Sequence, residues 1–246
     1  MPADKATATD NGQPNTWLPS GDEINALKPL IYVQEESSCC LRAVLALFGG
    51  LNLRALTLRY WGVNGEQLSV DRPCRCGACW GPCCKLHMTV KRGGQMIGAV
   101  EEDCDSCGTC CFEQCCLCTC THKVLVGSSR ETLVHKYSLR NPMCCCGRVN
   151  NCCGATYVGG PGRDCCKPNY FIDILEPGAS PDHPTAVIQK TYGAGGCSDC
   201  CRCMFDFNNY IMPFPPKSLP TERALLITAL LSIEYAYFSR QGGEST

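Results

Sequence analysis

Short runs in which apolar and polar residues alternate occupy much of the chain, and this period of two predicts half-buried β-strands. In residues 85–92, for example, apolar residues take every second position. The pairs Asn64-Gly65, Gly93-Gly94 and Ser128-Ser129 separate such runs and predict hairpins. We predict strands at residues 56–61, 68–70, 85–92, 95–102, 122–127, 131–137, 170–175, 185–191 and 204–212. Short strands with frequent turns favour an antiparallel barrel or sandwich.

Residues 224–238 are different because they are apolar almost all round, which predicts one long helix over residues 221–239. Thr221 follows Pro220 and is the predicted N-cap. Fifteen residues rise about 22 Å, whereas a bilayer core of about 30 Å requires about 20 residues. We therefore predict that the helix fills the protein core, with a membrane span as the alternative. The residues that would face core or lipid are Ala224, Leu225, Leu226, Ile227, Leu230, Leu231, Ile233, Glu234 and Phe238.

The charge balance argues against a nucleic-acid partner. The chain has 22 Lys and Arg against 23 Asp and Glu, a formal net charge of −1, whereas nucleic-acid binding usually goes with a basic excess. The four histidines are scattered, and no nucleophile–base pair or phosphate-binding glycine loop stands out. We therefore expect a protein that is not an enzyme.

Cysteine is the compositional outlier, at 26 of 246 residues. The first 20 residues are polar and lack the apolar core of a secretory signal peptide, so we expect a reducing compartment in which structural disulfides are rare. Pairs such as Cys104-x-x-Cys107 resemble zinc spacing. They overlap, however, and are mixed with adjacent cysteines such as Cys115-Cys116, which suits one tetrahedral ion poorly. Zinc bound through cysteine clusters, reduced thiols without a function, and S-acylation all stay open.

One cysteine-rich stretch carries a specific resemblance. Residues 71–84 read Asp-Arg-Pro-Cys-Arg-Cys-Gly-Ala-Cys-Trp-Gly-Pro-Cys-Cys. This stretch is similar to the phospholipid scramblase family, in which an acidic-Arg-Pro motif and a cysteine knot ending in Pro-Cys-Cys precede a strand. Residues 31–40, 56–59 and 96–100, the Phe214-Pro215 pair and residues 224–238 also resemble family elements. The resemblance covers roughly residues 22–239.

The resemblance implies a mainly β fold, a closed twelve-stranded antiparallel tubby-like barrel around a hydrophobic C-terminal helix. It divides the chain into a polar, disordered tail at residues 1–21, a barrel domain at residues 22–240 that includes the helix, and a tail at residues 241–246. The first family strand has no clear counterpart in residues 1–20, so we expect an incomplete barrel or a start that lies upstream. A competing family model makes the helix a single membrane span.

The resemblance also implies a function, the energy-independent, bidirectional movement of phospholipids between membrane leaflets. The partners would be phospholipids and the cytosolic face of the plasma membrane, where palmitoylated cysteines hold the protein. The matching positions are Cys79, Cys83 and Cys84, with Cys74 and Cys76 beside them. One alternative is a palmitoylated binding or signalling module without intrinsic lipid transport. The other is a zinc-stabilised, cysteine-rich soluble protein.

The family further implies a calcium site just before the helix. The candidate ligands here are Asp206, Asn208 and Asn209. Calcium prefers several carboxylate oxygens, but Lys217 and Leu219 occupy positions that are acidic in the family. We therefore expect a degraded site that binds calcium weakly or not at all.

Overall fold

The structure is a computed structural model, and it describes residues 28–38, 55–75, 85–103, 120–141, 170–180, 182–191 and 209–235. Ten strands and one α-helix lie in these ranges. They are β1 (Ile31–Glu36), β2 (Leu56–Gly62), β3 (Gly65–Arg72), β4 (His87–Arg92), β5 (Gln95–Glu102), β6 (Cys120–Val126), β7 (Val134–Asn141), β8 (Tyr170–Leu175), β9 (Ala186–Thr191), β10 (Asn209–Ile211) and α1 (Pro220–Ile233).

The strands form a ten-stranded sheet in which the spatial order is the chain order, from β1 to β10. Paired neighbours run antiparallel, as in the β2–β3 and β4–β5 hairpins. The predicted mainly β, antiparallel architecture with a C-terminal helix is therefore confirmed. Across the described residues no pairing joins β1 to β10, so the sheet is not closed and the closed barrel stays a prediction.

Two predicted hairpins form around glycines with positive φ. Gly93 and Gly94 have φ values of 55° and 80°, and such values at both central residues match the twist of a two-residue hairpin. Gly65, with φ 92°, follows the Val63–Asn64 turn and starts β3 three residues before the predicted strand. β5 and β8 have the bounds predicted from alternation, and residues 204–208 of the last predicted strand lie outside the described residues.

The third predicted hairpin has a longer connection than the Ser128-Ser129 pair indicates. A short 3₁₀-helix, Arg130–Thr132, intervenes, and β7 begins at Val134 rather than at residue 131. The Ser129 N–H donates to Thr132 Oγ1 at 3.0 Å, and the Thr132 N–H donates to the Ser129 carbonyl at 3.2 Å. The predicted two-residue turn is wrong because these local side-chain bonds stabilise an extra turn of helix.

Contacts within the chain define two units, which are described separately. The helical unit contains β1 to β5, β6 from Thr121, β7 up to Tyr137, and α1; the strand unit contains β7 from Ser138, β8, β9 and β10. In the strand unit β8 is buried along Phe171–Leu175, and its residues pair with β9 from Tyr170↔Lys190 to Ile174↔Ala186. A near-continuous buried run of this kind is typical of an interior strand, and β8 lies between β7 and β9.

The core of the helical unit lies between the inward face of its strands and α1. Leu58, Val70, Val90 and Val100 are fully buried on the strands, and Leu225, Leu226, Ala229 and Ile233 are fully buried on the helix. The helix packs against β4 and β5. The predicted core helix is therefore the arrangement that the structure has, and within the described ranges no helix is both long and apolar enough to cross a bilayer.

The start of the helix differs from the prediction. α1 begins at Pro220 with Leu219 as its N-cap, so the predicted N-cap at Thr221 is wrong. Proline is favoured at the first helical position because its missing N–H would have no partner there. The α-helix ends at Ile233 with Glu234 as its C-cap, and Phe238 lies outside the described residues.

Gly98 on β5 allows the helix to approach the sheet. A Cβ at this position would lie 2.4 Å from the Leu125 carbonyl oxygen and 2.7 Å from Leu225 Cδ1. Such distances are well inside van der Waals contact, and a backbone carbonyl in a sheet cannot move aside easily. Residue 98 therefore has to be glycine for β5, β6 and α1 to keep their present spacing.

We predict that Gly98→Ala lowers the free energy of unfolding by about 1–3 kcal/mol, because the added methyl group forces the helix and sheet apart. Urea denaturation under reducing conditions measures the loss. Gly62→Ala is the matched control, because the nearest atoms to its Cβ all belong to the flexible Gln67 side chain. Equal losses in the two variants would contradict the close approach at Gly98.

Candidate functional site

Three polar contacts fix α1 within the helical unit, and the first is at its start. The Glu222 carboxylate is buried and accepts a hydrogen bond from the Leu219 N–H at 2.9 Å. The Tyr137 hydroxyl of β7 donates to the same oxygen at 3.4 Å. An acidic residue in the first turn interacts favourably with the positive end of the helix dipole. Glu222 therefore serves the fold and is not available as a surface ligand.

The second contact is in the middle of the helix. The Thr228 hydroxyl donates to the Ala224 carbonyl at 3.0 Å, and its oxygen lies 3.1 Å from the Tyr60 hydroxyl. Since a hydroxyl has one proton to donate, Tyr60 must be the donor to Thr228. Burial raises the pKa of Tyr60 to about 12, so this hydroxyl keeps its proton at neutral pH. A continuous chain of hydrogen bonds thus links β2 to the helix backbone.

The third contact follows the end of the helix. The Tyr235 hydroxyl donates to Glu35 Oε2 of β1 at 2.9 Å, and the Ser37 hydroxyl donates to the other carboxylate oxygen at 2.7 Å. Glu234 is half-buried at the C-cap position. The apolar helix is therefore held by polar bonds at its start, middle and end, as well as by packing.

The cysteines follow the alternation of the antiparallel sheet. In the helical unit, the segments between β1 and β2, between β3 and β4, and between β5 and β6 leave from and return to the same end, which we call the cysteine end. It is the end that holds Glu36, Leu56, Arg72, His87 and Glu102. All of this unit's cysteines belong to these three segments, whereas the turns at residues 63–64 and 93–94 at the opposite end have none.

The strand unit shows the same rule. Its cysteines lie between β7 and β8, between β9 and β10, and in residues 112–120, which end at Cys120, the first residue of β6. The connection between β8 and β9, at residues 176–185, has no cysteine. Every one of the 26 cysteines thus lies in or next to a connection from an odd-numbered to an even-numbered strand. This distribution separates the cysteine-rich segments from the tight turns.

A buried group of ionisable side chains lies beneath the cysteine end. Arg72, Glu102 and His122 are 3%, 5% and 0% exposed, and Glu102 pairs with His122 in the β5–β6 register. The Glu102 carboxylate accepts from the Leu86 N–H at 3.0 Å, at the point where the chain enters β4. Burial, reinforced by the positive charge of Arg72, lowers the pKa of His122 to about 4. The imidazole is therefore neutral under ordinary conditions.

An open groove of about 540 Å³ lies on the outer face of the sheet at the cysteine end. The ends of β1 and β3 and the starts of β2 and β4 form it. Lys91 and Asp71 make an ion pair of 2.6 Å in its lining, and the Thr57 hydroxyl donates to Asp71 at 3.1 Å. His87 also lines the groove. A groove lined by cationic, anionic and hydroxyl groups can bind a small zwitterionic or charged group.

A second cluster of charge surrounds His87 beside the groove. Arg130 Nη2 lies 3.3 Å from His87 Nε2. Because guanidinium can only donate, the imidazole accepts this bond and is neutral. Burial, and then the positive charges of Arg130 and Arg75, lower the pKa of His87, against the opposing effect of Glu101. Lys85 is bound to Glu101 at 2.8 Å. Arg130, Arg75 and Lys85 thus act on His87 as positive charges, and Glu101 acts on it as a negative one.

The structure places only some of the predicted site residues. Cys74 is exposed directly after Pro73, whereas Cys76, Cys79, Cys83 and Cys84 lie outside the described residues. Asp206 and Asn208 also lie outside them, and Asn209 begins β10. Both the acylation and the calcium site stay predictions. Among the side chains that the structure describes, no three His, Cys, Asp or Glu residues come together as metal ligands; the cysteine pairs considered for zinc are in other segments.

Sequence reasoning missed the buried ionisable group. Arg72, Glu102 and His122 each continue an inward-facing series, such as Leu68, Val70 and Arg72 on β3. A charged residue on the apolar phase at a strand end is a visible signal, but recognising that the three lie close together requires the strand register.

Comparison with known proteins gives a limited likeness to one family. The human protein described as phospholipid scramblase family member 5 is 32% identical to this chain over 83 residues. The match covers 33% of this chain and 29% of the human protein, so the chain spans less than a third of that relative's length. No protein-family model matches the chain, and no solved structure matches it. The likeness supports the scramblase family at most.

We predict a pH dependence of stability from His122. Its pKa is about 4 in the folded protein against about 6.5 in an unfolded chain, so between these values the unfolded state binds more protons. The free energy of unfolding therefore falls as pH falls through this window, by up to about 3 kcal/mol from this group. Urea denaturation across the window measures it. His122→Gln removes this titration, and an identical pH profile in the variant would contradict the prediction.

Proposed function

We propose that this protein is a phospholipid scramblase-like protein that acts on phospholipids at a membrane to which its cysteine-rich segments tether it. The observation that supports it is the placement of the cysteine-rich segments between odd-numbered and even-numbered strands, together with the likeness to the human scramblase family member. Cysteine-rich segments that connect strands at one end of a unit would allow several acyl chains to enter a bilayer together. Two or more chains anchor a protein stably, whereas one does not.

The residues of the helix enter this proposal as the core of the helical unit. Leu225, Leu226 and Ile233 are fully buried, and Thr228 is bonded to Tyr60. These side chains cannot face lipid while they keep those contacts. We therefore assign the tether to the cysteines. The membrane that we propose is the plasma membrane, at its cytosolic face.

Two modes of action follow, and each has its own support. The likeness to a scramblase family member supports energy-independent, bidirectional movement of phospholipids between leaflets. Burial of the helix supports a tethered module that binds lipids or signals without moving them, because Leu225, Leu226 and Ile233 are held in the core of the helical unit. We place lipid movement first, as a process without covalent chemistry.

Calcium has a minor role in this proposal. The sequence contains no Asp or Glu between Asp206 and Glu222, and Glu222 is buried in bonds that hold the helix. Lys217, which is exposed with φ 63°, adds a positive charge to the segment. Calcium affinity falls as carboxylate ligands are lost. Asp206 would be left with amide and backbone oxygens, which supports weak binding.

Reconstitution into liposomes tests the function. The full chain is inserted into vesicles whose two leaflets carry a fluorescent phospholipid, and an impermeant reductant then destroys the outer label. We expect the inner label to be lost as well, at a rate that calcium changes little.

Vesicles with the heat-unfolded chain are the control. Membrane-bound protein without loss of inner label would contradict lipid movement and favour the tethered module. Strong calcium stimulation that Asp206→Ala abolishes would contradict the weak site.

The tether gives a separate prediction. Replacing Cys79, Cys83 and Cys84 by Ser should move the protein from the membrane to the soluble fraction of cells, since each lost chain removes about 0.8 kcal/mol per buried CH₂. Cell fractionation and acyl exchange of thioesters measure the change. The control variant replaces Cys197, Cys200 and Cys201, the same number of thiols, in the strand unit. Full membrane retention of the first variant would show that this cysteine knot is not the anchor.

A further inference from the structure

β1 is the outermost strand of the sheet in the described part of the chain, and its apolar side chains are exposed. Ile31, Tyr32 and Val33 are 51%, 63% and 42% exposed. Among the described strands β1 pairs with β2 alone, which leaves its other edge open. The strand contains neither proline nor lysine, the residues with which many natural edge strands block further pairing. Such an edge is a template for one more strand.

The two faces of β1 differ in what they expose. Tyr32 pairs with Trp61 of β2, so these two aromatic side chains lie on the same face. Val33 pairs with the buried Tyr60, so Val33 lies on the inward face, and Ile31 lies there with it because side chains alternate. A strand that fits this edge presents an aromatic residue outside and branched aliphatic residues inside. β1 itself has this pattern, which points to a second copy of the chain.

One symmetric antiparallel register matches both faces. A two-fold axis at Tyr32 places Tyr32 opposite Tyr32 of the second copy and Ile31 opposite Val33. With Trp61 of each copy beside them, the two tyrosines form a row of four aromatic side chains. Cross-strand aromatic and β-branched pairs stabilise a sheet. Moving the axis by one residue, to Val33, would instead place Ile31 opposite Glu35.

The charges at the two ends of this segment favour the same register. Lys28 is exposed three residues before β1, and Glu36 is exposed at the end of the strand. With Tyr32 at the axis, Lys28 of each copy comes opposite Glu36 of the other. Glu36 and Glu66 share Arg59, so this group has a net negative charge that Lys28 of the second copy would offset.

We infer that two copies of this chain pair through the open edges of their β1 strands to form a symmetric antiparallel dimer. A stable interface has about 20–30 residues on each side, whereas β1 has six. Residues 28–30 are exposed and bend at Leu30, so pairing also has to straighten them. The dimer is therefore weak and depends on protein concentration. Antiparallel pairing directs the two cysteine ends away from each other, so the inference does not depend on the proposed function.

Sedimentation velocity of the full, unacylated chain at increasing concentration tests the dimer, with a reductant present to exclude disulfides. We expect a monomer–dimer equilibrium. We expect Tyr32→Lys to raise the dissociation constant about tenfold, because it places two like charges opposite each other at the axis. Val134→Lys is the matched control, since Val134 is also an exposed apolar residue but lies on β7. Thermal unfolding establishes that both variants fold.

A charge exchange tests the register. Lys28→Glu and Glu36→Lys should each weaken the dimer, because each places like charges at both ends of the pair. An equimolar mixture of the two variants should restore it, because both contacts then join opposite charges.

Three results would overturn the inference. A chain that stays monomeric at every concentration would leave the edge to another segment of the same chain. A dimer that Tyr32→Lys leaves unchanged would lie on another surface. Failure of the mixture to dimerise, with both variants folded, would exclude the antiparallel register at Tyr32.

Discussion

Burial of an all-round apolar helix is the constraint on which the helical unit depends. A helix without a polar face has to bury most of its surface. Leu225, Leu226, Ala229 and Ile233 are fully buried, whereas Ala224, Ile227 and Leu231 are half-buried. Gly98 allows Leu225 to approach β5 closely. Tyr60 of β2 and Tyr137 of β7 bond to the helix side chains Thr228 and Glu222, and Tyr235, which follows the helix, bonds to Glu35 of β1. Each tyrosine combines a large apolar ring with a polar tip, which suits a boundary between core and polar groups. The helix is therefore an integral part of the packed core of this unit.

The antiparallel strand order places tight turns at one end of a unit and the cysteine-containing connections at the other. Because each strand reverses direction, tight turns and long connections alternate between the two ends of a unit. The tight turns at Gly65 and at Gly93-Gly94 set the strand register through positive φ values. The long segments at the other end do not set the strand register, and they contain the cysteines. Connecting segments tolerate variable length and composition far better than the elements that they join. Many cysteines in the connecting segments are therefore compatible with a fixed strand register.

Alternation along the chain predicted the sheet well because it is a local property. It gave the bounds of β5 and β8, and the apolar run after Pro220 gave a core helix. The errors arose where local side-chain bonds compete, as at Ser129 and Thr132, or where proline shifts a helix start. The group of Arg72, Glu102 and His122 was beyond reach because it depends on which residues face each other across strands. The predicted acylation and calcium residues depend on segments outside the described residues, so the fold was predictable further than the site.

The buried group and the surface cluster at the cysteine end differ in how a membrane would act on them. An acidic leaflet has a surface potential of about −30 mV, which lowers the local pH by about half a unit. His122, with a pKa of about 4, stays neutral after such a change, and Tyr60, with a pKa of about 12, stays protonated. The hydrogen bonds that hold the core are therefore insensitive to the proposed membrane. Arg130 beside His87 is exposed and would meet the same potential directly. An acidic leaflet would therefore act on the surface charge at this end, while the helix beneath it keeps its place.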